Sequence, residues 1–141
     1  MQALVHNESL EADLLRYAVY KIREACRKAQ QNPDPKKEYH SVLYLDASAW
    51  LHVDRSQLFS GQDKDSVDKP ILEMDKNVDK IMIPMCHGAG LGSHCTLLIF
   101  YFKEKRFVHY NSLKSGKHTY EKSAKKMADR CLDPINNFLV Q

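Results

Sequence analysis

The sequence predicts an α+β fold, and three observations carry that prediction. Two helix-length segments repeat their apolar residues with helical spacing, one near each end of the chain. Between them three apolar, β-branched stretches follow one another. Helices and strands segregated in this way belong to α+β architectures, not to alternating βαβ ones.

Each element has a local reason. Asn7 or Ser9 is placed to cap a helix whose first turn carries Glu11 and Asp13, where the helix dipole favours acids. Leu10, Leu14, Tyr17, Ala18, Ile22, Ala25, Cys26 and Ala29 then recur on one side, so a helix is expected over about residues 9–30. The prolines of QQNPDPKKE end it in a surface loop. SVLYLDASAWLHV, residues 41–53, opens as a short buried strand, after which Asp46 caps a helical turn carrying Trp50 and Leu51. From Arg55 to Lys80 the residues are mostly polar, and a long connecting loop is expected.

KIMIPMC, residues 80–86, reads as a buried strand in which Pro84 needs an edge or bulge position. CTLLIFYF (95–102), the turn KEKR and RFVHYNSL (106–113) make an antiparallel hairpin. A second amphipathic helix starts near Thr119 with Tyr120, Ala124, Met127, Cys131 and Ile135 on one side, and Pro134 is expected to kink or restart it. A length of 141 residues suits one domain, 1–141.

Composition excludes several classes. The charge of +3, from 21 basic and 18 acidic residues, is mild, and the basic runs KIREACRKAQ and KHTYEKSAKK are spaced as wet helix faces. No nucleic-acid partner is expected from that pattern. No apolar run approaches the ~18 residues of a membrane span and no signal peptide opens the chain, so an intracellular protein of nucleus or cytoplasm is expected, without a membrane partner. Its four cysteines, at 26, 86, 95 and 131, follow no disulfide framework and are expected reduced.

The chemistry concentrates in CHGAGLGSHC, residues 86–95. A zinc site would draw on Cys86, His87, His94 and Cys95, or on Cys86 and His94 with a distant Cys131. Strand neighbours point to opposite faces, so adjacent pairs do not converge on one ion, and no metal is expected. A phosphate loop would use Gly88, Gly90 and Gly92, but such glycines open a helix and a strand follows here, so no nucleotide cofactor is expected either. A third reading makes His94 a general base at the lip of a cleft. Hairpin geometry puts residues whose numbers sum to about 207 opposite each other, which brings Asn111 beside His94 as the group that orients its imidazole. An ordinary strand cap at His94 and an Asn-Ser turn at 111 is the plainer alternative. His52, His87, His109 and His118 read as exposed or satisfied histidines.

GSHCTLLIFYFKEKRFVHYNSL also resembles the central hairpin of the Ulp1-like cysteine peptidases, which process SUMO and related ubiquitin-like proteins. Their pattern is Gly-x-His-Trp opening an apolar strand, a charged turn, and a second strand ending in Tyr-Asp-Ser-Leu. Gly92, Ser93, His94, Tyr110, Ser112 and Leu113 match it, and DKIMIPM is similar to the strand that leads to the family's histidine. The resemblance is specific over about residues 79–114. It implies a papain-like fold with the antiparallel hairpin between helices, His94 as catalytic base, Asn111 as its orienting residue, and a ubiquitin-like protein as partner.

Two residues depart from the pattern. Cys95 stands where the family has Trp, and Asn111 where it has Asp, although Cys-His-Asn sites exist in papain-like proteases. The family's glutamine and Asp-Cys-Gly nucleophile motif would follow the second helix, and no Asp-Cys-Gly occurs in the chain. The resemblance therefore implies a peptidase domain cut off before its nucleophile and inactive as it stands. A catalytically dead module that binds a ubiquitin-like protein is the alternative.

Overall fold

The computed structural model describes residues 17, 18, 20–22, 24, 25, 27, 28, 31, 41–55, 61–88, 94–112 and 120–141. All described residues from 17 to 31 are helical, in agreement with the first predicted helix; its start and the proline-containing loop after it lie outside the described residues. Strand β1 (Val42–Tyr44) leads into helix α1 (Ser48–Asp54), a π-helical turn (Lys64–Asp68) into helix α2 (Lys69–Leu72), and then come β2 (Lys80–His87), β3 (His94–Tyr101), β4 (Arg106–Tyr110) and helix α3 (Glu121–Leu139). The strands form one mixed sheet in the order β1-β2-β3-β4, β1 parallel to β2 and the other pairs antiparallel. This is the α+β class that the sequence predicts.

Alternation along the strands builds the core. Ile81, Ile83 and Met85 of β2 and Leu98 and Phe100 of β3 face one side of the sheet, all 4% exposed or less. Helix α3 covers that side with Ala124, Met127, Cys131 and Ile135, the stripe expected from its spacing. Trp50 and Val53 of α1 join the same cluster. Asp46 starts α1 as expected: its carboxylate accepts the backbone N–H of Ser48 at 2.8 Å, and its carbonyl accepts that of Ala49 at 2.9 Å.

Pro84 sits in neither the edge strand nor the bulge expected of it: β2 lies between β1 and β3 and pairs Pro84 with Leu97 in unbroken register, and the proline is accommodated where β1 no longer pairs. The Leu45 N–H donates to the Met82 carbonyl at 3.0 Å, so the backbone groups of Met82 face β1. Two residues on, the nitrogen of Pro84 faces the same way, past the last paired residue of β1, Tyr44. Pro134, in contrast, neither ends nor restarts α3, which runs through it as a single helix with the proline ring buried.

The expected loop between Arg55 and Lys80 needs correction. Among the described residues of that stretch, 62–72 are helical and 61 and 73–79 are not. Two apolar residues four apart, Val67 and Ile71, are completely buried on the inner side of the helical segment, while its remaining residues, mostly polar apart from Pro70 and Leu72, are partly or fully exposed. A proline in a helix clashes with the carbonyl four residues back, and here the turn before Pro70 widens to π geometry, closed by the Lys69 N–H donating to the Lys64 carbonyl. Arg130 of α3 fixes this segment from outside. Its Nε donates to Asp63 at 2.7 Å and its two terminal nitrogens donate to both oxygens of Asp68 at 2.7 and 3.0 Å.

No helix among the described residues is long and apolar enough to cross a membrane.

Candidate active site

The predicted hairpin register is the observed one: each β3–β4 pair, from Leu97 with Tyr110 to Tyr101 with Arg106, has numbers that sum to 207. In that register Asn111 lies diagonal to His94 on the same sheet face, the face covered by α3. The structure brings the two together. Nε2–H of His94 donates to Oδ1 of Asn111 at 3.0 Å, with both residues half-buried. The amide fixes the imidazole tautomer by accepting from Nε2, which leaves Nδ1 with its lone pair as the basic nitrogen.

Beneath this pair lies a second polar group that the sequence reading does not single out. Thr96, two residues along β3 from His94, shares its hydroxyl between His87 Nε2 and His109 Nε2, both at 2.8 Å. One imidazole N–H donates to the hydroxyl oxygen and the hydroxyl donates to the other ring. These histidines are satisfied, as expected; His52 likewise contacts the Ser66 hydroxyl at 3.1 Å, and His118 lies outside the described residues. Burial, then the neighbouring His109 and His94, push the His87 imidazole down from 6.5 to about 4. Burial also lowers His109. The alternation of β3 and β4 already puts Thr96 with His94 and His109 with Asn111, so the sequence held a signal for this cluster.

Tyr120 closes the group from above. Its ring stacks on His87 at 3.9 Å between centroids and lies 6.0 Å from His94, nearly parallel to both. Its backbone has φ 71, in the left-handed region that costs a bulky residue about 1–2 kcal/mol. From there its carbonyl accepts the Ala124 N–H at 2.9 Å, starting α3. Nothing local in the sequence marks Tyr120 for this position. Before the site, Gly88 leaves β2 with φ 77, a conformation open to glycine, while Gly90 and Gly92 lie outside the described residues.

The cysteines stand apart from His94. Cys131 is fully buried among core side chains, and burial pushes its thiol up to about 12. Cys86 and Cys95 face each other across β2 and β3, on the sheet face opposite His94. Cys26 is outside the described residues. Among the described residues no three His, Cys, Asp or Glu side chains are grouped to hold a metal ion.

A family model described as the Ulp1 protease family, C-terminal catalytic domain, matches residues 55–141. The chain belongs to the Ulp1 protease family. None of the curated proteins matches it. Ulp1 proteases are cysteine peptidases that act on ubiquitin-like proteins, so the family supplies the kind of chemistry and the kind of partner. The match takes in the whole β2–β3–β4 hairpin region, the helical segment at 62–72 and α3.

Proposed function

We propose that this chain carries the proton-transfer half of a Ulp1-type peptidase site, with His94 as general base and Asn111 as the residue that orients it. The 3.0 Å bond from His94 Nε2 to Asn111 Oδ1 is the observation that carries this reading. In a cysteine peptidase the base takes the thiol proton, the thiolate attacks the carbonyl carbon of the substrate's C-terminal glycine, and the imidazolium gives the proton to the amine that leaves. An imidazole held through Nε2 does this work at Nδ1. Asn111 holds the tautomer but supplies no charge to the imidazolium, so its contribution is orientation.

The substrate is a ubiquitin-like protein, SUMO or a relative, as precursor or conjugate. The 141-residue chain, one domain in this reading, does not turn it over alone. It contains no Asp-Cys-Gly, Cys131 is buried as a neutral thiol, and Cys86 and Cys95 lie across the sheet from Nδ1. Among the described residues no thiol is paired with His94, and the reaction needs both a base-activated thiolate and donors to the oxyanion.

The test uses ubiquitin-like proteins carrying a C-terminal electrophile in place of the last carboxylate. Purified residues 1–141 are expected to form no covalent adduct with any of them. Stoichiometric labelling of one cysteine that is lost in His94→Ala would contradict the inactivity of the chain alone, because a nucleophile would then lie within reach of that histidine; labelling that His94→Ala leaves unchanged would contradict His94 as the base.

A further inference from the structure

Cys86 and Cys95 are directly opposite partners in the β2–β3 ladder, and their sulfur atoms lie 2.9 Å apart. The ladder geometry explains the closeness. The backbone groups of Met82 face β1, so by alternation those of Pro84 and Cys86 also point away from β3. Cys86 and Cys95 are therefore a non-hydrogen-bonded antiparallel pair, the kind whose Cα atoms approach to about 4.5 Å and whose side chains stand closest. That spacing lies within the ~4.4–6.8 Å that a disulfide spans. Both side chains project from the same face and both residues are half-buried, within reach of a small oxidant, whereas Cys131 is fully enclosed.

We propose that Cys86 and Cys95 form a redox-modification site at which a peroxide converts two thiols into a cross-strand disulfide. One thiolate attacks a peroxide oxygen and breaks the O–O bond, giving a sulfenic acid and one water once the proton is taken up. The facing thiol then attacks the sulfenic sulfur, forms the S–S bond and releases the second water. The two thiols lose two hydrogens, and the peroxide is reduced to two waters. The sulfurs are already in contact, so the second step needs no movement of the strands. The next rung of the ladder is His87 with His94, so the new bond ties the two strands together one step from the histidine that faces the opposite side. This site stands independently of the peptidase reading.

The test treats the intact 141-residue chain with hydrogen peroxide, alkylates remaining thiols and digests with trypsin. No Lys or Arg lies between Ile81 and Lys103, so one peptide carries both residues and no other cysteine. That peptide is expected to become lighter by two hydrogens and to resist alkylation, and dithiothreitol restores two alkylated cysteines, while Cys131 stays reduced. In Cys95→Ser the same treatment leaves a sulfenic acid on Cys86 that dimedone traps. The proposal fails if the wild-type peptide gains oxygen on its cysteines, if it joins a second chain, or if both thiols stay alkylatable at peroxide concentrations that give the dimedone adduct in Cys95→Ser.

Discussion

Acidification from pH 7 to about 4 is expected to remove about 2–3 kcal/mol of folding stability through His87. Unfolded, this imidazole takes up a proton as the pH falls through 6.5; folded, it stays neutral down to about 4, because burial and the neighbouring His109 and His94 disfavour its charged form. Its stabilising contribution is therefore complete above pH 6.5 and is lost progressively as the pH falls toward 4. Each pH unit between the two values corresponds to about 1.36 kcal/mol, reduced by solvent at the edge of the site. His109, lowered in the same direction, adds to the slope. His87→Phe keeps a ring against Tyr120 and leaves Thr96 its bond to His109, but it cannot titrate. Urea midpoints of that variant are expected to change far less than wild type between pH 6.5 and 5. An unchanged slope would show that other groups govern acid stability.

Arg130→Met is expected to cost about 2 kcal/mol, between the ~1 kcal/mol upper range of exposed ion pairs and the ~3–5 kcal/mol of breaking a buried one. The guanidinium forks onto Asp68 and reaches Asp63 through Nε, and all three side chains are only 20–27% exposed. Arg130 also holds the Asp63 carboxyl below its usual 3.8, a stabilising term that is present above that pH and is lost as the pH falls below it. Methionine fills much of the same volume, so the loss reports on the two carboxylates left without their cation. Arg130→Lys should recover only part of it, since an ammonium cannot bind Asp68 in two places and Asp63 together. A change below 0.5 kcal/mol in urea denaturation, on the scale of ordinary surface substitutions, would mean that the helical segment at 62–72 is held by Val67 and Ile71 alone.

That segment marks the limit of what the sequence conveys. Its two core residues are one helical turn apart in mostly polar surroundings, and Pro70 signals a break where the chain widens into a π turn instead. Its other anchor, Arg130, lies 62 residues from Asp68 in sequence, so no local pattern reports it. The hairpin is the opposite case. Side-chain alternation and a four-residue turn fix its register, so the approach of Asn111 to His94 follows from counting. The same count puts Thr96 and His109 on that face, yet their shared hydrogen bonds depend on rotamers, and Tyr120 arrives over the two histidines through a positive φ. Pro84 was legible as a strand residue, but not its place in an interior strand, which depends on the short pairing of β1.

The most direct test of the His94–Asn111 assignment is long-range ¹H–¹⁵N NMR of the imidazole nitrogens. His94 is expected as the Nε2–H tautomer with an unprotonated Nδ1, and Asn111→Ala should abolish that preference while leaving the signals of His52 in place. A proton on Nδ1, or a His94 tautomer indifferent to Asn111→Ala, would remove the basis for reading this pair as the base and orienting residue of a Ulp1-type site.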